Sequence, residues 1–189
     1  FKSLKTGEIK AVWIACTNPA QSLPNQAEVR EALQCAEYVV LQEAYANTDT
    51  ADYADLLLPA TGWGEKYGTV TNSERCISRV MPAIAAPGEA RHDWQIVVDF
   101  ARALGKKLDH AAAERLFPYG DAEAIFNEHR ASTRGRDLDI SGLSYALLER
   151  DGPQQWPYPE GATSGKVRLY EDAVFPTADG KARFVAIEH

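Results

Sequence analysis

The chain has 189 residues, of which 45% are hydrophobic and 25% charged, as in an ordinary globular domain with a sizeable core. Its formal net charge of −7 disfavours non-specific binding to nucleic acid, and no apolar run approaches the roughly 20 residues that span a bilayer. The sequence begins at Phe1 without a methionine or a signal-peptide pattern, so we expect a segment of a longer chain. From its charge and its apolar runs we expect that it binds neither nucleic acid nor a membrane.

Strand and helix patterns alternate through the first third of the chain. An apolar, β-branched run over residues 9–16 predicts a buried strand, and apolar residues at helical spacing predict a helix over Gln26–Cys35. Two further apolar runs, at residues 38–41 and 55–58, predict strands with a short helix between them. This order is typical of βαβ units, so we predict an α/β fold with a Rossmann-like parallel sheet flanked by helices.

A glycine-rich stretch follows the third predicted strand. Residues 62–68 contain too much glycine for a regular element, and residues 69–75 are interpreted as an extended loop passing into a short strand. The next helix is predicted over residues 93–104, with Asp93 as its N-cap and Gly105 as its stop.

The last part of the chain changes in composition. Helices are predicted over residues 121–129 and 143–150, and proline and glycine become frequent after them. We therefore predict one α/β domain over residues 1–150. Residues 151–189 are predicted to form an extended, irregular segment that packs over this domain or leads towards a neighbouring one.

The cysteine and histidine patterns give no sign of a metal centre. The three cysteines are odd in number and lack the C-x₂-C spacing of zinc and iron–sulfur ligands: Cys16, Cys35 and Cys76. We expect free, buried thiols in a reducing compartment, which favours the cytoplasm. The four histidines are scattered without metal-ligand spacing: His92, His110, His129 and His189. We assign no residue a catalytic or metal-binding role.

Polar residues follow the predicted strands at the edge where open parallel sheets bind ligands. Asn18 follows the first strand in a kinked Thr-Asn-Pro segment, whose N–H groups could face a phosphate. Gln42 and Glu43 follow the second strand, where a carboxylate commonly holds a ribose diol or a guanine edge. A turn and a solvated strand end would explain the same residues, and the absence of a G-x-G-x-x-G signature disfavours an ordinary NAD or FAD site.

Two further residues have both a binding and a structural interpretation. Lys66 lies between Gly64 and Gly68, where the backbone can approach a ligand closely. Its ammonium group could contact a diphosphate or a heterocycle, or it could simply be solvated. Asp93 is ambiguous in the same way, because a helix cap and a ligand contact are both open to it.

Seven ordered motifs carry a family resemblance. They are VWIACTNP, LQE, TDTA, YADLLLPA, WGEKYGT, TNSER and APGEARHDW. In this order they resemble the third domain, which binds molybdopterin guanine dinucleotide, of catalytic subunits in the dimethyl-sulfoxide-reductase family of molybdopterin oxidoreductases. Within that family the resemblance is greatest to the catalytic subunit of bacterial assimilatory nitrate reductases. This chain has Cys76 where relatives usually carry a second arginine, which puts a paired arginine there in doubt.

The resemblance implies a bis(molybdopterin guanine dinucleotide) cofactor carrying molybdenum. By motif, one dinucleotide would be contacted by Asn18, Gln42, Glu43, Lys66 and Asp93, with Gln42 and Glu43 at its guanosine end. The parent enzyme would reduce nitrate to nitrite by two-electron oxygen-atom transfer at molybdenum. Its 4Fe-4S cluster and its molybdenum ligand would lie outside this fragment, so the fragment alone is expected to be inactive. The implied partners are the remaining domains of the subunit and an electron-donor protein.

Three other functions stay open at this point. A formate dehydrogenase fragment would be distinguished by the molybdenum ligand, cysteine or selenocysteine, elsewhere in its parent chain. A non-catalytic relative, such as the large iron–sulfur subunit of respiratory complex I, is disfavoured because an empty site has no need of Asn18, Glu43 and Lys66. A plain nucleotide-binding module is disfavoured by the missing glycine signature.

Overall fold

The computed structural model describes residues 1–110 and 112–187. His189, one of the scattered histidines, lies outside the described residues. The α-helices are α1 (Lys2–Lys5), α2 (Pro19–Ser22), α3 (Gln26–Cys35), α4 (Asp93–Lys107), α5 (Ala113–Leu116), α6 (Ala122–Thr133) and α7 (Tyr145–Asp151). The strands are β1 (Ala11–Ala15), β2 (Tyr38–Glu43), β3 (Leu56–Pro59), β4 (Gly68–Thr71), β5 (Cys76–Val80) and β6 (Gln154–Gln155). Short 3₁₀ helices span Ala51–Tyr53 and Trp63–Glu65.

Two compact units make up the chain, and neither is continuous in sequence. The first unit comprises Phe1–Lys66 and Met81–Pro118, and the second comprises Tyr67–Val80 and Tyr119–His189. The division into a domain over residues 1–150 and a following segment stays a prediction.

The first unit is built on a three-stranded parallel sheet in the order β1-β2-β3. Ile14 of β1 pairs with Leu41 of β2, and both side chains are buried. Val29 and Leu33, which lie one helical turn apart on α3, belong to the same core cluster as these strand residues. The predicted parallel α/β fold is therefore confirmed, and α3 has the predicted bounds.

Helix α4 differs from its prediction at both ends. Its N-cap is His92, whose backbone N–H donates to the Gln95 side chain, so Asp93 is the first helical residue rather than the cap. Gly105 does not end the helix but lies buried within it. A glycine stops a helix where the backbone turns left-handed, and here Asp109 adopts that conformation, with φ of 51°.

The second unit contains an antiparallel sheet, β4-β5-β6, that the sequence patterns did not predict. The strand β4 comes before the turn rather than after it, contrary to the expectation for residues 69–75. The Oδ1 atom of Asn72 accepts hydrogen bonds from the backbone N–H groups of Glu74 and Cys76, which fixes the turn between β4 and β5. Arg75 completes it with φ of 65°.

Helices α6 and α7 cover the sheet of the second unit. The side chains of Asp121 and Ser144 cap them by accepting from the N–H groups of Ala124 and Leu147. The helices were predicted to start at residues 121 and 143. They start one and two residues later, because Asp121 and Ser144 are N-caps and lie outside the helices that follow them. Phe126 of α6 and other side chains from this unit form a second apolar core with Ile77, Ile140, Leu143, Tyr145, Leu148 and Tyr158.

The segment after α7 is held against its own unit by Arg75. The guanidinium group of Arg75 donates to the backbone carbonyls of Trp156, Lys166 and Val167, and it lies over the Trp156 ring. Residues 152–187 form one short strand, β6, and otherwise turns, bends and irregular backbone.

The cysteine expectation is partly wrong. All three thiols are free, but Cys16 and Cys35 are exposed and Cys76 is half-buried, because each lies at or beyond the end of its element. In the described ranges, helices of the length and apolarity needed for a bilayer crossing are absent.

Candidate functional site

The carboxyl ends of the parallel strands bring the predicted site residues to one edge of the first unit. Ala15 of β1 pairs with Gln42 of β2, and Glu43 pairs with Pro59 of β3. The chain therefore leaves all three strands at the same edge, which is where ligands bind in open parallel sheets.

Asp93 is the centre of a hydrogen-bonded cluster at this edge. Its Oδ1 atom accepts from Gln42 Nε2 at 2.9 Å and from Cys16 Sγ at 3.5 Å, while its Oδ2 atom lies 2.9 Å from Lys66 Nζ. These contacts join the ends of β1 and β2, the loop after β3 and the start of α4. Three of the five predicted residues, Gln42, Lys66 and Asp93, are thus in direct contact.

The charge of Asp93 is stabilised although the group is partly buried. Burial by itself would raise the pKa of this carboxyl, but the hydrogen bonds from Gln42 and Lys66 and the Lys66 charge outweigh it, so the pKa is lowered. Asp93 is also at the N-terminus of α4, where the helix dipole favours a negative charge. The carboxylate consequently stays ionised and holds the Lys66 ammonium group in place.

Cys16 is the site residue that the sequence interpretation missed. Although the residue as a whole is exposed, partial desolvation of its sulfur raises the pKa of the thiol, and the neighbouring Asp93 carboxylate raises it further, so the thiol stays protonated and donates. Cys16 directly follows β1 with φ of 59°, a conformation that is uncommon for a residue with a side chain. Its contact partner lies 77 residues further along the chain, and this relation cannot be inferred from local spacing.

Gln42 carries an unused hydrogen-bonding atom. The side chain is 1% exposed, and its Oε1 atom has no partner among the described residues. A buried acceptor without a donor costs roughly 1–3 kcal/mol, so a ligand N–H or O–H group in the cluster would be stabilising. The orphaned oxygen is the observation in this site that points to a bound molecule.

The loop that carries Lys66 is fixed by its own backbone. The Gly62 N–H donates to Glu65 Oε2 at 2.8 Å, and the Gly64 carbonyl accepts from the N–H groups of Ala83 and Ile84 at 2.7 and 3.0 Å. The Lys66 ammonium group also lies 5.3 Å from the centre of the Trp63 ring. Lys66 is therefore presented by an ordered segment and is held on two sides.

Glu43 and Asn18 are at the same edge but take part in other contacts. Glu43 Oε1 accepts from the N–H of the next residue, Ala44. Asn18 Oδ1 accepts from the N–H and hydroxyl groups of Thr50, at 3.1 and 2.6 Å, and its Nδ2 atom donates to Gln21. Asn18 thus ties the segment after β1 to the loop before β3, whereas the cluster around Asp93 is built from other residues.

His92 borders the cluster from the start of α4. Burial and the nearby Lys66 charge lower the pKa of its imidazole, which favours the neutral ring. The ring nitrogen Nδ1 lies 3.1 Å from the hydroxyl of Thr61, a buried side chain. Groups of three or more acidic, histidine or cysteine side chains suited to a metal are absent from the described part of the chain. The arrangement suits an anionic or hydrogen-bonding ligand.

Comparison with known proteins identifies a family and close relatives. The family model described as "Molybdopterin: Molybdopterin oxidoreductase" matches residues 1–103. The chain is 39% identical over 188 residues to a nitrate reductase from Synechocystis, covering 97% of this chain and 25% of that protein. It is 40% identical over 187 residues to the assimilatory nitrate reductase catalytic subunit of Bacillus subtilis, covering 99% of this chain and 25% of that protein.

A less similar curated protein and a solved structure also match this chain. The F420-dependent formate dehydrogenase subunit alpha of Methanocaldococcus jannaschii is 35% identical over 181 residues, covering 96% of this chain and 25% of that protein. The solved structure of acetylene hydratase from Pelobacter acetylenicus matches with a TM-score of 0.65 at 22% identity, covering 95% of this chain and 22% of that chain. The chain therefore spans about a quarter of the length of the curated relatives that it matches.

Proposed function

Because this chain belongs to the molybdopterin oxidoreductase family, we propose that it forms one wall of the binding site for bis(molybdopterin guanine dinucleotide) in the catalytic subunit of a nitrate reductase. The observation that carries the proposal is the cluster around Asp93, with its orphaned Gln42 acceptor at the carboxyl ends of parallel strands. The nitrate reductases from Synechocystis and Bacillus subtilis, at 39% and 40% identity, are more similar to this chain than the formate dehydrogenase subunit at 35%, which favours nitrate over formate as the substrate of the parent enzyme.

The residues of the cluster fit the polar part of such a cofactor. Lys66 supplies a positive charge for a diphosphate, since Asp93 holds the ammonium group while the Lys66 side chain stays 25% exposed. The Oε1 atom of Gln42 can accept from a hydroxyl or an N–H group of the ligand. Glu43, next to Gln42, supplies a carboxylate for the N–H groups of a guanine edge. Asn18 is proposed to contact the ligand through the segment that its own hydrogen bonds to Thr50 hold in place.

In this proposal the chain binds and orients, and the reaction occurs at the bound group. When bound, the molybdenum centre supplies the two-electron oxygen-atom transfer that converts nitrate to nitrite. We propose that the 4Fe-4S cluster, the molybdenum ligand and the contacts to an electron donor belong to the remaining domains of the parent subunit. A cytoplasmic location is part of the same proposal.

The proposal is tested by titrating this chain with GDP and with ADP, using backbone amide shifts as the readout. We expect GDP to shift the resonances of Gln42, Glu43, Lys66 and Asp93, and ADP to bind more weakly because adenine lacks the paired guanine donors. Replacing Glu43→Gln should reduce the preference for GDP about tenfold or more, as expected for a lost hydrogen bond to a charged group. The control Glu37→Gln, at an exposed carboxylate paired with Lys10, should leave the preference unchanged.

Two results would contradict the proposal. If GDP shifts no amide resonance of the cluster, the proposed nucleotide site is contradicted. Nitrate reduction by this chain with a chemical electron donor would contradict the assignment of the reaction to a bound group and to other domains of the parent.

A further inference from the structure

Trp63 is a large aromatic side chain that its own unit leaves uncovered. Its side chain belongs to the first unit and is 66% exposed, although an indole ring is among the most favourable surfaces to bury. It begins the 3₁₀ helix Trp63–Glu65, directly before Lys66 in the glycine-rich loop. Among residues 62–68, Lys66 alone is proposed to contact the ligand, so the aromatic ring has no assigned role.

The backbone beneath Trp63 is immobilised on both sides of the residue. The hydrogen bond from the Gly62 N–H to Glu65 Oε2 closes the turn, and the Gly64 carbonyl accepts two N–H groups from residues 83 and 84. An indole side chain on such a backbone has only two rotatable side-chain bonds to order on binding. A ligand that covers the ring therefore loses little affinity to side-chain entropy.

The ring is also next to the charged part of the cluster. The Lys66 ammonium group lies 5.3 Å from the centre of the indole ring and 2.9 Å from Asp93 Oδ2. Asp93 in turn accepts from Gln42, whose Oε1 atom lacks a partner among the described residues. An exposed aromatic side chain, a positive charge and an orphaned acceptor are thus linked by consecutive contacts.

We propose that Trp63 is the stacking platform for a flat bicyclic heterocycle of the bound ligand, while Lys66 contacts the adjoining phosphate. This inference rests on the proposed function and deepens it. Guanine and pterin share the required chemistry, a planar fused ring with a π face. Stacking of a nucleobase on an aromatic side chain is sequence-tolerant, so the platform adds affinity, whereas discrimination is left to the polar groups.

The test compares ligands with and without the ring, using this chain and its Trp63→Ala and Trp63→Phe variants. GDP carries guanine, 6-hydroxymethylpterin carries the pterin ring, and ribose 5-phosphate carries neither. We expect Trp63→Ala to weaken one of the two ring-bearing ligands about tenfold, and Trp63→Phe to restore most of that affinity. Ribose 5-phosphate should bind all three proteins equally. The bound ring should also shift the indole N–H resonance that disappears in Trp63→Phe.

A matched control is Phe184→Ala, which removes an aromatic side chain that is 96% exposed in the second unit. It should leave every affinity unchanged. Far-ultraviolet circular dichroism of each variant checks the fold, and an exposed side chain is not expected to disturb it.

Each outcome decides a different question. Preferential loss of GDP affinity assigns the platform to guanine, and preferential loss of pterin affinity assigns it to the pterin. Unchanged affinity for both rings in Trp63→Ala, with GDP still binding at the cluster, overturns the stacking role but leaves the proposed function standing. Equal weakening of ribose 5-phosphate also overturns it, because Trp63 would then only position Lys66. A wild-type chain that binds neither GDP nor pterin overturns the proposed function and this inference together.

Discussion

Lys66 and Asp93 form an ion pair, with 2.9 Å between Nζ and Oδ2, across 27 residues of sequence. The side chains retain 25% and 31% exposure, so the pair is shielded from solvent more than the exposed ion pairs of this chain. It connects the loop after β3 to the first turn of α4. A phosphate that enters the cluster would share the ammonium group with Asp93 rather than meet a freely moving lysine.

Replacing Lys66→Met should therefore separate binding from stability. We expect the free energy of unfolding to fall by no more than about 1 kcal/mol, because a partly exposed ion pair contributes little. The affinity for GDP should fall about tenfold or more, since a charge-assisted contact to the diphosphate is lost. Urea denaturation and GDP titration measure the two quantities. Lys10→Met, in the exposed pair with Glu37, is the matched control and should change neither by much. Equal GDP affinity in Lys66→Met and wild type would contradict the assignment.

Asp93→Asn should change how stability depends on pH. The pKa of the Asp93 carboxyl is lower in the folded chain than its ordinary value, so the ionised group stabilises the fold above that value, about 3.9. This contribution should be lost as the pH falls through the folded pKa. We expect the wild type to exceed the variant by about 1 kcal/mol at pH 6, and the difference to shrink below about pH 4. Urea denaturation at several pH values is the measurement, and a difference that stays constant down to pH 3 would refute the expectation.

The thiol of Cys16 should report on the charge of Asp93. Burial and then the Asp93 carboxylate raise the pKa of this thiol, so Asp93→Asn removes the second cause and increases the thiolate fraction. At pH 8 we expect alkylation of Cys16 by iodoacetamide to accelerate about two- to fivefold. Mass spectrometry of the peptides measures the rate, with the exposed Cys35 as an internal control. Slower alkylation of Cys16 in the variant would show that access, and not charge, governs the thiol.

Asn18→Ala should reduce stability through its neighbour Thr50. The Thr50 side chain is fully buried, and its N–H and hydroxyl groups both donate to Asn18 Oδ1. Removing the acceptor leaves buried donors without a partner, which costs about 1–3 kcal/mol. Chemical denaturation measures this loss. Asn47→Ala, at an exposed position of the same connection, should change stability by less than about 0.5 kcal/mol. Comparable effects of the two substitutions would exclude the proposed role of the Asn18 contacts.

Local patterns predicted the parallel sheet because its strands and the helix α3 each have a clear apolar pattern within a short stretch of sequence. The strand around Ile14 is β-branched and apolar, and Val29 and Leu33 recur at helical spacing on α3. The second sheet has no such signal. Its strand β6 is only two residues long, and it forms because Gln154 and Gln155 pair with β5, far away in sequence. Such pairing depends on the tertiary structure and cannot be predicted from local periodicity.

The candidate site was predictable to the extent that strand ends indicate its location. Gln42 and Lys66 lie where the strand pattern and the motifs suggested, and both contact Asp93. The prediction of Asp93 as N-cap was wrong by one residue, because His92 adopts the extended conformation that a cap requires. Cys16 was interpreted only as a free, buried thiol, since only the folded chain brings Asp93 to it.

The division of each unit between two stretches of chain limits how this polypeptide can be shortened. A protein ending at Pro118 would retain the hairpin of β4 and β5 but lose β6, which pairs with Cys76 and Ile77. The outer edge of β5 would then present unpaired backbone groups, the kind of surface on which chains associate into aggregates. Removing the C-terminal half to obtain a smaller protein would thus favour aggregation. Expression trials should keep both stretches of the second unit.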